Sequence, residues 1–201
     1  ISKFLNATTK DGYNPYRINK EGIDWEVVDK DDTWSHIGYW NDHQIIYLLK
    51  LLEGQWQIDR SFILDSLNKK IFSTANVPYK IRNDEEILKD HKKTIDFDHA
   101  LHQKIMNDVK KIGTDARLVL DQDQVVHVSM AEKLLVLQLS KLSNFIPDGG
   151  IWLNTQRPEW NDANNALVGY GVSMVTLYYL NRHISFINKV LTDVNKTEFE
   201  I

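Results

Sequence analysis

Six of the nine residues from Leu134 to Leu142 are leucine or valine: Leu134, Leu135, Val136, Leu137, Leu139 and Leu142. A run of that kind leaves few folds open. Its length and composition predict a helix from about Ser129 to Asn144, and Ser129 with Glu132 three residues on fits a capping box. Apolar groups cover most of the helix circumference, so deep burial is expected. A second apolar stretch, Ala166 to Leu180, lies within a predicted helix from about Asp162 to Val190. Gly169 and Gly171 inside it would each cost about 1 kcal/mol relative to alanine. That cost predicts a second backbone packed close by.

The remaining periodicity is also helical. A helix is expected from Asn41 or Asp42 to Glu53, with Gly54 as its stop. A weaker one follows from Asp59 to Asn68, and another from Asp98 to Ile112 ends at Gly113. Residues 71–81 read as extended, and the charged residues 83–93 as solvated. Leu118–Leu120 and Val125–Val128 read as a small β-hairpin whose turn lacks glycine. Residues 1–40 read as a long loop with aromatic anchors. The fold class expected is mostly α, in one domain over residues 1–201.

Composition closes off several chemistries. Cysteine is absent, which removes disulfides, thiolate metal sites and cysteine nucleophiles. The formal net charge is −4 with no basic patch, so nucleic acid is not expected as a partner. No apolar run reaches the roughly 18 residues of a membrane span. The buried helices carry more apolar surface than 201 residues easily cover, and the first residue is not methionine. These features predict a central piece of a larger helical protein, with the rest of the parent chain needed for activity. The compartment stays open, with the cytoplasm slightly favoured.

Two polar segments interrupt the apolar pattern. The first is Ser35-His-Ile-Gly-Tyr-Trp-Asn-Asp-His-Gln44, which opens a helix. The second, Asn154-Thr-Gln-Arg-Pro-Glu-Trp-Asn-Asp-Ala-Asn-Asn165, holds two carboxylates, an arginine, a tryptophan and several amides. Polar clusters at helix mouths are how scaffolds present binding groups. Trp34, Trp40, Trp152 and Trp160 flank these segments, and flat indole faces suit the apolar faces of sugars, although plain packing uses the same residues. Helix capping accounts for Asp42 and Asp162 as readily as function does, and an ion pair with Arg157 does so for Glu159. His99 and His102, three apart on a predicted helix, lack a third ligand at motif distance; a solvated face is expected and no metal.

The stretch Glu159-Trp-Asn-Asp-Ala-Asn164, followed by glycines and an apolar helix ending Leu177-Tyr-Tyr-Leu180, resembles the Asp-Trp-Asn-Asp-Gly-Met-Asn segment of the cellobiose and chitobiose phosphorylase family. Trp160, Asn161 and Asp162 match identically. Glu159 stands at the family's first Asp, Ala163 at its Gly and Asn164 at its Met, and Arg157-Pro158 replaces the preceding glycines. The resemblance implies a partial (α/α)6 toroid of helical hairpins and a glycoside hydrolase or phosphorylase acting on a carbohydrate. It implies that Glu159 is the general acid protonating the glycosidic oxygen. No cofactor is implied, with inorganic phosphate as a possible co-substrate.

In that setting Trp160 would desolvate Glu159, the direction a general acid needs. Asp42 is the candidate second carboxylate, and Asp162 a further catalytic candidate. An inverting reaction needs the two carboxyl groups about 6.5–9.5 Å apart. Trp40, His43, Trp152, Arg157, Trp160, Asn161 and Asn164 are the candidate substrate-binding residues, Arg157 as a possible phosphate fork. The competing expectation is a catalytically silent domain that binds glycan or scaffolds a larger protein.

Overall fold

Two long helices carry buried stripes at alternating spacings of three and four, and the rest of the fold is laid against them. In α6 (Met130–Leu142) the buried positions are Met130, Lys133, Leu134, Leu137, Gln138 and Lys141; in α7 (Met174–Val194) they include Thr176, Leu180, His183, Ile187 and Val190. Such stripes are what let two helices pack along a common seam. The structure is a computed structural model and describes residues 1–13, 17–18, 20, 23–24, 44–91, 93–113, 117–155 and 166–194. Among the described residues the architecture is mostly α, with small antiparallel sheets and no barrel.

In chain order, α1 (Ser2–Asn6) is followed by the paired strands β1 (Arg17–Ile18) and β2 (Ile23–Asp24). A π-helical turn, Gln44–Leu48, runs directly into α2 (Leu49–Ile58), and α3 (Ser61–Ser66) follows. Then come β3 (Phe72–Ser73), β4 (Tyr79–Ile81), α4 (Asp84–Lys89), β5 (Ile95–Phe97) and α5 (His99–Ile112). The hairpin strands β6 (Leu120–Asp121) and β7 (Gln124–Val125) precede β8 (His127–Val128) and α6. Strands β9 (Phe145–Ile146), β10 (Gly150–Trp152) and β11 (Val172–Ser173) form a three-stranded sheet in the order β11-β10-β9, after which α7 begins.

The main core joins α1, the π-helical turn, α2, α3, α6, β10 and α7 through Leu5, Leu48, Leu52, Ile63, Leu137, Ile151 and Leu180, all at most 1% exposed. Trp56 meets Phe186 edge-on, with ring centroids 6.1 Å apart. A smaller cluster of Tyr13, Val77 and Tyr79 lies under the β4–β5 pair.

Several expectations hold. The capping box at Ser129 and Glu132 is formed, with bonds of 3.2 and 2.9 Å. Asp98 caps α5, and Gly113 ends it at φ +70°. The hairpin turn manages without glycine because Gln122 and Asp123 take φ of 46° and 63°, the geometry that two-residue hairpin turns demand. The charged residues after Asn83 are largely exposed as expected, although they form an unexpected short helix, α4, which Asn83 caps.

Three expectations fail. The first helix does not stop at Gly54 but runs through it to Ile58. The last helix begins at Met174: Gly169 sits in a turn at φ +83° and Val172–Ser173 is strand. A side chain at Gly169 would place its Cβ 2.4 Å from His91 Cβ, so another segment does pack close there, against a turn instead of a helix. Finally, α6 is not buried over most of its circumference: Met130, Leu134 and Leu137 lie in the core, and the opposite face does not. Leu135, Leu139 and Leu142 are exposed, Leu139 by 60%, while Lys133, Gln138 and Lys141 face inward.

Candidate functional site

The N-terminal segment meets the polar side chains on the buried face of α6. Residues 1–13 run between α6 and the strand region after β3. Gly12, at φ +78°, lies so close to α6 that an added Cβ would fall 2.6 Å from Ser140 Oγ and 2.9 Å from Val136 O. Asn6 Oδ1 accepts from Ser73 N at 3.1 Å, and Thr9 bridges Ala75 in parallel. Several of its backbone groups bond within the segment or to Ala75, and its other buried polar groups must be bonded too. Polar side chains from α6 and the π-helical turn therefore point inward to meet it.

Three anchors result. Gln44 Nε2 donates to Phe4 O at 2.6 Å and to Thr8 Oγ1 at 2.8 Å. Lys133 Nζ donates to Thr8 O and to Thr74 Oγ1, both at 3.0 Å. The Asn154 amide donates to Tyr13 Oη at 3.2 Å, a bond that joins positions 141 residues apart. Burial drives the Lys133 ammonium from 10.5 down to about 7. On the far side of α6, the Gln138 amide contacts His183 Nδ1 at 2.9 Å, and burial lowers His183 to about 4.

The second polar segment is closed at its base. Leu153 N donates to Gly171 O at 3.0 Å, and Gly169 N donates to Leu153 O. The Trp152 indole N–H donates to Gly169 O at 3.0 Å. The residues on either side of 156–165 are thus hydrogen-bonded to one another, and Asn154 and Thr155 are buried. The first polar segment ends at Gln44, whose side chain is fully buried.

Of the residues singled out in the sequence, Trp152 is described: half-buried on β10, with its N–H used to close that base. Trp40, Asp42, His43, Arg157, Glu159, Trp160, Asn161, Asp162 and Asn164 lie outside the described residues. Both segments that hold them border buried side chains bonded to residues 4–13: Gln44 directly follows His43, and Asn154 precedes Glu159 by five positions. His99 and His102 pack on the Phe97 ring, with centroids 4.8 and 5.4 Å away. Among the described residues no group of three or more His, Asp or Glu could hold a metal ion, and no helix is long and apolar enough to cross a membrane.

Sequence reasoning missed the anchors themselves: Thr8, Tyr13, Gln44 and Lys133. One signal was present. Lys133 and Lys141 share the face of Met130, Leu134 and Leu137 at helical spacing, two lysines on a leucine stripe. No protein-family model matches the chain, and no curated protein matches its sequence.

Proposed function

We propose that the chain is the central part of an (α/α)6-type carbohydrate-active enzyme that cleaves a glycosidic bond with acid assistance. Glu159 protonates the leaving oxygen. Asp42 acts as the second carboxylate, and water or inorganic phosphate accepts the glycosyl group. Trp40, Trp152 and Trp160 offer indole faces to the sugar, while His43, Asn161 and Asn164 take its hydroxyls. Arg157 is the holder of phosphate if phosphorolysis is the reaction.

One observation supports this reading above the others. Residues 4–13 are bonded through buried side chains to Gln44 and to Asn154, so the bases of both polar segments share one anchor. Catalysis by two carboxylates needs groups from distant parts of the chain held in one frame.

The test is turnover of an oligosaccharide panel by the full parent protein, with and without inorganic phosphate. Glu159→Gln should lower turnover about 10²–10⁴-fold, the usual worth of a general acid. Full activity in that variant on every glycan the wild type cleaves would end the assignment. Glycan binding without turnover by the wild type would make the chain a binding domain instead.

A further inference from the structure

We propose that the Lys133 amine forms an imine with a small apolar aldehyde admitted to the cavity that Lys133 lines. The site is separate from the residues assigned to glycosidic cleavage and does not depend on that assignment.

Hydrogen-bond counting defines the state of the amine. Lys133 is 3% exposed, and its Nζ donates to two acceptors, Thr8 O and Thr74 Oγ1. A neutral amine has two N–H donors and one lone pair, so both donors are used and the lone pair is left over. An ammonium would carry a third N–H with no acceptor, a costly arrangement in a buried site. Glu132, the nearest carboxylate on the same helix, is engaged elsewhere: its Oε2 accepts from Ser129 N at 2.9 Å. Burial outweighs the pull of Glu132, and the amine titrates near neutrality. A lysine of this kind is a nucleophile, as in enzymes that bind carbonyl substrates covalently.

The cavity supplies room and selectivity. Its volume is about 250 Å3, and its walls include Val119, Val126, Val128 and Val136 together with Thr74 and Lys133. That is below the roughly 300–1,000 Å3 typical of sites for drug-sized ligands, so the ligand is small. Four valines offer no partner for hydroxyl groups, which disfavours a sugar and favours a hydrocarbon chain. The other charged groups on the walls are Glu132 and Lys10.

The chemistry balances without an oxidant or reductant. The Nζ lone pair attacks the carbonyl carbon, and the carbonyl π pair moves to oxygen, which takes up a proton. The carbinolamine then expels its oxygen as water while nitrogen loses its second proton. The net change is amine plus aldehyde to imine plus water. The two protons that nitrogen gives up match the two that the departing oxygen takes up, so no outside acid is consumed.

The test is reductive trapping on the intact chain. The protein is incubated at pH 7.5 with isobutyraldehyde and cyanoborohydride, then digested and mapped by mass spectrometry. Lys133 should be alkylated at an aldehyde concentration at least about tenfold lower than the exposed Lys69, Lys70 and Lys189, which lie outside the cavity. Glyceraldehyde, polar and of similar size, should lose that preference. Val126→Trp fills the cavity and leaves the amine in place; in a variant with unchanged circular dichroism, Lys133 labelling should fall at least about tenfold. Labelling of the exposed lysines with Lys133 untouched, or touched only after denaturation, overturns the proposal. Unchanged Lys133 labelling in a folded Val126→Trp variant overturns it equally.

Discussion

Two buried bases give the molecule its pH response. Lys133 falls from 10.5 to about 7 and His183 from 6.5 to about 4, both through burial. In each case the unfolded chain binds the proton more tightly than the folded one. Stability therefore rises with pH wherever the unfolded group is still charged and the folded one is not. For His183 that window runs from about pH 4 to 6.5, and for Lys133 from about pH 7 to 10.5. Denaturant midpoints measured across the alkaline window should climb, and Lys133→Met should flatten that climb; a wild-type midpoint that falls from pH 7 to 9.5 contradicts the burial. Gly169 makes a second demand at this scale. Alanine there would need φ +83° and would collide with His91, so Gly169→Ala should cost well over the roughly 1 kcal/mol of an ordinary glycine replacement, read as a lowered melting temperature. Neither lysine's inward aim was legible from composition. Both stripes of α6 have helical spacing, Leu135, Leu139 and Leu142 on one and Leu134, Leu137 and two lysines on the other, and periodicity alone cannot say which one faces the core.

Element boundaries were legible where local chemistry sets them. Ser129 with Glu132, Asp98 and Gly113 mark ends that the backbone needs, and the helices begin and stop there. Gly54 carried the same signal but lies inside α2, where nothing comes within 4 Å of an added Cβ. The helix continues because Trp56, a residue after the expected stop, has core to fill against Phe186. Gly54→Ala should accordingly raise stability by about 0.5–1 kcal/mol, seen as a higher denaturant midpoint. A loss of stability would mean that the glycine is needed for something besides its conformational freedom. The start of α7 was misjudged for a tertiary reason. Ala166 and Leu167 are helical, but Leu153 and Ile151 recruit Gly171 and Ser173 into extended pairing, and helix resumes only at Met174. The (α/α)6 reading rests on a sequence segment outside the described residues, so the helices support its class and not its connectivity.

At the scale of the whole molecule, residues 4–13 are the shared fastening. They meet α6 through Lys133, the π-helical turn through Gln44, and the second polar segment through Asn154. Tyr13→Phe removes one end of a buried bond and leaves the Asn154 amide short of a partner. It should cost about 1–3 kcal/mol of stability. If the two polar segments form one cleft, it should also weaken glycan turnover more than the equally destabilising loss of a core methyl far from Asn154. Equal effects on turnover would separate the fastening from the site. The fastening also bears on how the chain leaves the ribosome. Thr8 is bonded to a residue 125 positions later and Tyr13 to one 141 positions later. Lys133 and Asn154 are therefore synthesised long after the segment that they fasten. Until then Thr8 and Tyr13 wait without them, within reach of chaperones and proteases.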